Sequence, residues 1–193
     1  MDISTLGYAL LTLLARESLS GYDLAMLMKK PIGFFWQAQH SKIYPELAHL
    51  EEEGYITHQV IVQEVRPQKK LYTITEIGSR ALQTWVTLPP SPPPQRNELL
   101  LKVYAIWLVD PEAALELFRT QEQVHAGQLA LFEQIRVTIE QKSGGSLRPD
   151  QPLFGDYATV RMGVAYEREY VTWCRWMLEQ LEQALESTRQ DRQ

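Results

Sequence analysis

Five of the eight residues in "LPPSPPPQ", positions 88 to 95, are proline. Proline lacks the amide hydrogen and its ring collides with the preceding helical turn, so this run belongs to no helix interior. It favours an extended, fairly stiff spacer. The chain of 193 residues is therefore expected to fold in parts on either side of it. We expect an N-terminal domain over 1–88, a proline-rich linker over 89–96 and a C-terminal domain over 97–193.

In the first part Ile3, Leu6, Leu10, Leu13 and Leu14 recur at helical spacing. In "LSGYDLAMLMKKP", Ser20 followed by Asp23 has the pattern of a capping box, and Pro31 ends the segment. "SKIYPELAHLEEEGY", 41 to 55, is a third helix. Its Ile43, Leu47 and Leu50 fall together as a core stripe. Ser41 is expected as its N-cap, Pro45 within its first turn and Gly54 as its stop. "YITHQVIVQEV" and "KLYTIT" are rich in β-branched and aromatic residues and read as a hairpin with a longer loop. Thr75 then caps a fourth helix to about Val86. Three helices, a hairpin and a closing helix is the order of a winged helix-turn-helix.

The second part reads as all helix. One helix covers 97–108. Asp110 and Pro111 open another that runs to about Gln141. "SGGSLRPDQP" breaks it, and the last helix runs from about Asp156 to Leu185. The expected class is mainly α with a small β-hairpin, an N-terminal winged helix-turn-helix plus a C-terminal helical dimerisation domain.

The third helix is chemically lopsided. Its start carries Ser41, Lys42 and Tyr44; its end carries Glu51, Glu52 and Glu53. A helix N-terminus offers unsatisfied N–H groups and positive dipole charge to an anion, and the front-end donors add to that. A recognition helix that enters the major groove N-terminus first has this polarity. So, equally, does a plain solvated amphipathic helix. The hairpin loop tips the balance, because Arg66, Gln68, Lys69 and Lys70 gather within five positions. A basic, proline-stiffened tip suits phosphate or the minor groove. The net charge of −5 argues against indiscriminate nucleic-acid or membrane binding, though not against a local basic patch.

Other classes fare worse. There is no G-x-S-x-G elbow and no G-x-x-x-x-G-K-[ST] phosphate loop, so no enzyme is expected. His40, His49, His58 and His125 have no metal-ligand spacing and one cysteine makes no zinc knuckle, so no metal or cofactor is expected. The lone Cys174 excludes an internal disulfide and favours a reducing compartment. The apolar run near the start is too short for a bilayer and lacks the base of a signal peptide, so a cytoplasmic protein is expected. The stronger rival is a winged helix that docks on a protein. Such a face would expose apolar groups where this sequence has donors.

"LGYALLTLLARESLSGYDL", "SKIYPELAHLEEEGYI" and "KKLYTITEIG" together resemble the PadR family of bacterial transcriptional regulators over most of residues 5 to 78. The second half resembles the helical, virulence-activator-like C-terminal domain of longer PadR proteins, on helix order and length. The resemblance implies a homodimer that binds double-stranded operator DNA, usually as a repressor. It carries DNA contacts onto Tyr22, Ser41, Lys42, Tyr44, Pro45, Lys69 and Lys70. "PIGFFWQAQH" resembles the family's Trp-containing approach to the recognition helix and adds Gln39 and His40.

In the last helix Val164, Val171, Cys174, Leu178, Leu181 and Leu185 fall on one heptad seam, interrupted at Glu167. Packing within the chain is one use for such a seam. A dimer contact is preferred here, because two recognition helices must be held at a fixed spacing to read a two-fold site. Cys174 is then a small buried hydrophobe. Some PadR proteins sense aromatic compounds, which makes Trp107, Trp173 and Trp176 the candidate pocket for a small aromatic effector. Aromatics at helical spacing also serve simply as core or interface. Trp36 and Trp85 are assigned to packing in the winged domain.

Overall fold

A computed structural model describes residues 3–29, 36, 39–61, 68–90 and 96–190. Two compact units divide the chain, Met1–Pro93 and Pro94–Gln193. The first holds helix α1 (Thr5–Leu14), strand β1 (Leu19–Ser20), α2 (Gly21–Lys29), α3 (His40–Glu52), β2 (Ile56–Ile61), β3 (Lys69–Ile74) and α4 (Glu76–Val86). The second holds α5 (Glu98–Tyr104), a 3-10 turn (Ile106–Leu108), α6 (Pro111–Lys142) and α7 (Pro152–Gln190).

Local chemistry explains most boundaries in the first unit. Ser4 caps α1 by accepting from the Gly7 amide. Ser20 and Asp23 form the expected capping box: the Asp23 amide donates to Ser20 Oγ at 3.2 Å and the Ser20 amide to Asp23 Oδ2 at 3.3 Å. Thr75 caps α4. At the end of α3, Gly54 has φ +76, which a side chain would resist. The Tyr55 and Gly54 amides there donate to the Leu50 and Glu51 carbonyls, closing a Schellman stop. The core joins Leu10, Leu11 and Leu14 of α1, Leu24 of α2, the Ile43–Leu47–Leu50 stripe of α3, Ile56 and Tyr72. Trp85 stacks on Tyr8 at 4.6 Å and Trp36 packs against the same core, as assigned.

The start of α3 differs from expectation. The N-cap is Gln39, with no side-chain bond, and Ser41 lies inside the first turn. Pro45 is therefore within the helix body, where the Ser41 carbonyl meets no amide at position 45. Helix ends are loosely specified by propensity, and a cap without a side-chain acceptor leaves no signal to read. A third strand was also missed. The sheet order is β1-β3-β2, with Leu19 opposite Tyr72 and Ser20 opposite Leu71. Two residues carry no alternation, and their partners lie some fifty positions away.

The second unit is built on an antiparallel hairpin of α6 and α7. Asp110 caps α6 and Pro111 takes its first position, as expected. The expected helix over 97–108 breaks at Ala105 into α5 and the 3-10 turn. The last helix opens earlier than Asp156, at Pro152, a residue suited to a first turn.

Half of the expected α7 seam is covered inside the chain itself. Val164, Val171 and Cys174 are buried within the chain. Cys174 joins Phe118 of α6 and Met177, with Leu178 and Leu181 packed against them. Leu185 and Leu115 line one shallow depression between the two helices. Val164, Val171 and Cys174 are thus covered within the chain, while Leu178, Leu181 and Leu185 remain partly exposed. Periodicity shows that a stripe is covered but not by which chain. A tethered helix outcompetes a free one through its high effective concentration. Among the described residues, no helix is long and apolar enough to cross a membrane.

Candidate nucleic-acid interface

Ser41, Lys42, Tyr44 and Pro45 all project from the core stripe of α3 into solvent. Gln39 is exposed just before them; for His40 only the backbone is described. Tyr44 is 49% exposed and its ring lies over Gly21, where an added Cβ would meet Cε1 at 2.7 Å. A glycine at the head of α2 is thus what allows the ring of α3 to sit there. Tyr22, the next residue, is 66% exposed. Glu46 is held back on the α1 side, where its Oε1 accepts from Ser4 Oγ at 2.7 Å.

The acids at the other end of α3 are remote. At 1.5 Å per residue, Glu52 lies about 15 Å along the axis from Lys42. That is nearly twice the screening length of about 8 Å at physiological salt, so they scarcely weaken an anion site at the front. Glu51 is also engaged. It pairs with Nδ1 of His58 on β2 and so ties the helix end to the sheet.

In the wing, Lys70 is exposed, while Lys69 is not simply presented to solvent. Lys69 Nζ donates to Asp23 Oδ2 at 2.9 Å. Asp23 also accepts from Ser20 Oγ at 2.6 Å. The Ser20 hydroxyl, then Lys69, hold the Asp23 carboxyl below the usual carboxylate range, against the opposing effect of desolvation. A group with a lowered folded value stabilises above its unfolded value of about 3.9 and loses that contribution as pH falls through the folded value. The urea-midpoint difference between wild type and Asp23→Asn should therefore be constant at neutral pH and shrink below about pH 4. A difference that grows on acidification would contradict the pairing. Arg66 lies outside the described residues.

In the second unit Trp173 is half-buried, edge-on to Phe118 at 5.5 Å and to Tyr170 at 5.6 Å. Trp107 is 79% and Trp176 52% exposed, so the three tryptophans do not gather into one pocket in the single chain. What does gather was missed from sequence. His125 Nδ1 and Glu167 Oε2 lie 2.5 Å apart, Glu167 is buried, and the His125 ring stacks on Tyr170 at 3.7 Å. The signal was present in the seam itself. A carboxylate on a buried stripe needs a partner, and position 167 interrupted the heptads. Burial pushes the Cys174 thiol up, with Glu122 adding to it. Among the described residues, no group of three or more His, Cys, Asp or Glu could hold a metal ion.

The chain matches the transcriptional regulator PadR-like family over residues 10–84 and the virulence activator alpha C-terminal family over residues 95–182. It is 35% identical over 178 residues to the negative transcriptional regulator PadR of Bacillus subtilis, covering 90% of this chain and 95% of that one. Among solved structures it resembles Bacillus subtilis PadR in complex with operator DNA, at a TM-score of 0.82 and 32% identity over 92% of this chain and 99% of that one. The same protein in complex with p-coumaric acid matches at a TM-score of 0.75 and 32% identity, over 93% and 99% of the two chains. The Vibrio cholerae virulence activator AphA shares the fold at a TM-score of 0.70 and 24% identity, over 93% and 97% of the two chains.

Proposed function

The chain belongs to the PadR family of transcriptional regulators, and from that premise we propose that it represses transcription by binding a pseudo-palindromic operator as a homodimer. The observation that carries this reading is the first two turns of α3. Ser41, Lys42 and Tyr44 stand clear of the core there, at the end of the helix whose dipole favours phosphate. The relative solved on operator DNA and named a negative regulator supports the assignment. The DNA-facing set is Tyr22, Gln39, Ser41, Lys42, Tyr44, Pro45 and Lys70, with His40 and Arg66 included from the sequence.

In this reading dimerisation rests on exposed apolar groups more than on the seam, whose Val164, Val171 and Cys174 are buried. Leu100, Leu101, Tyr104, Trp107 and Leu108 all lie open in the second unit, as do Met162, Tyr166 and Trp176. A monomer seldom leaves so much apolar surface wet. A second copy covering it would set two α3 helices for half-sites about 10 bp, or a multiple, apart. By likeness to the relative solved with p-coumaric acid, the effector is a small aromatic acid.

The test begins with duplexes recovered by the purified protein from a random pool. Each neutralised phosphate contributes about −0.9 to the slope of log K against log salt. Lys42 and Lys70, one phosphate each in two copies, should together give roughly −4. Lys42→Ala and Lys70→Ala should each reduce the slope by about 2, and ultracentrifugation should return a dimer. Failure to recover any duplex at low salt would end this reading.

A further inference from the structure

We infer that Asp23 and Lys69 are positioning residues for DNA binding: their ion pair locks the wing to the head of α2 and supplies no phosphate contact of its own. This rests on the DNA-binding reading above and gives Lys69, expected from sequence to touch DNA, a different role.

β1 pairs with β3 only through Leu19–Tyr72 and Ser20–Leu71. After Ser20 the chain coils into α2, while β3 extends further toward the wing tip, with Lys70 opposite Val60 and Lys69 opposite Ile61. On that side the first two residues of β3, Lys69 and Lys70, have no backbone partner from β1. Side chains fill the role. Ser18 Oγ and Thr73 Oγ1 lie 2.7 Å apart below the ladder's end, and Lys69 Nζ reaches Asp23 Oδ2 at 2.9 Å above it. Lys69, Leu71 and Thr73 alternate onto one face of β3, so both links close the same edge.

Asp23 is well suited to this. The same carboxylate oxygen accepts from the Ser20 hydroxyl, the Ser20 amide and Lys69. It is therefore oriented before the lysine arrives. An isolated exposed pair contributes little because two long side chains must be ordered in water. Here one partner is already fixed by a helix cap, and the pair stands at 40% and 38% side-chain exposure. What the lock fixes is geometry. α2 carries Gly21, on which Tyr44 of the recognition helix rests. One end of the lock is thus the wing and the other is the seat of α3. Lys70, next in the strand, points to the opposite face and is exposed, which leaves it as the phosphate contact of this rung.

Asp23→Asn separates the two roles by sign. It removes a negative charge beside bound DNA and keeps an acceptor for Ser20. If Lys69 were a phosphate ligand held in reserve, releasing it would tighten binding. If the pair is a lock, releasing it weakens binding. The experiment measures binding of full-length protein to the duplex selected by wild type, by anisotropy across a salt series. It compares Asp23→Asn, Lys69→Met, Lys69→Arg and Lys70→Ala. Asp23→Asn and Lys69→Met should each weaken binding about fivefold to tenfold, the size of effect expected within one coupled network. Their salt slopes should equal that of wild type, Lys69→Arg should restore affinity, and Lys70→Ala should lose about 2 units of slope. Tighter binding by Asp23→Asn, a slope loss of about 2 in Lys69→Met, or wild-type affinity in both would overturn the inference. Should Asp23→Asn fail to fold, the slope of Lys69→Met, which leaves the cap intact, decides alone. Wild-type protein that selects no duplex refutes the DNA-binding reading itself, an outcome distinct from all of these.

Discussion

A Phe118→Ala protein should lose about 3–5 kcal/mol of stability in its second unit. Phe118 is fully buried in α6, against Cys174 and Met177 of α7, and its ring stands nearly perpendicular to that of Trp173 with centroids 5.5 Å apart. Truncation removes the transfer energy of the ring and leaves a void between two long helices that are braced along their length. Among the described residues four pairs link them: Arg175 with Glu122 at 2.9 Å, Arg168 with Glu133 at 2.8 Å, Arg119 with Glu182 at 3.8 Å, and His125 with Glu167. The helices therefore cannot simply close over the gap. Domain stabilities are about 5–15 kcal/mol, so the loss is roughly a fifth or more of the whole. Urea unfolding followed by circular dichroism measures it. The cost should not depend on protein concentration, because the contact lies within one chain. A loss that vanishes at high concentration would return the α7 seam to the dimer contact that its heptads suggested.

Gly78→Ala should lower the melting temperature of the first unit by roughly 5–20 °C. Helix propensity gives the opposite sign, since alanine is favoured over glycine in a helix by up to about 1 kcal/mol. Packing decides. A Cβ at position 78 would stand 2.2 Å from the Tyr55 carbonyl oxygen and 3.0 Å from Ile74 Cγ1. That carbonyl cannot retreat cheaply, because it accepts from the Thr75 amide at 3.0 Å and faces Thr75 Oγ1 at 3.1 Å. Overpacking against backbone of this kind costs about 1–3 kcal/mol or more. The same junction joins the end of α3 to the start of β2, so DNA affinity should fall with stability. Differential scanning calorimetry gives the first result, and a melting temperature at or above wild type would show that α4 can shift away from the strand.

Much of the fold was legible because its signals are local. Ser20 and Asp23 announce a cap within four residues, Thr75 and Asp110 do the same, and Ile43, Leu47 and Leu50 mark a buried stripe within two turns. Each depends on groups that meet through the geometry of one element. The missed features share a different property. β1 exists only because Leu71 and Tyr72 are there to pair with it. The start of α3 at His40 leaves no acceptor side chain to announce it.

The candidate site divides along the same line. The front of α3 could be named from sequence, because helical spacing alone puts Lys42 and Tyr44 off the core stripe. Lys69 could not be separated from Lys70 that way. The two are adjacent and carry the same charge, and only the approach of Asp23, 46 positions earlier, commits one of them. The α7 seam repeats the lesson. Composition and period determined that Val171, Cys174 and Leu178 would be covered, since apolar side chains at heptad spacing are driven from water wherever a partner stands. That Cys174 is covered by Phe118 of the same chain was decided only by the tertiary fold, which brings a tethered helix within reach before a free one can compete.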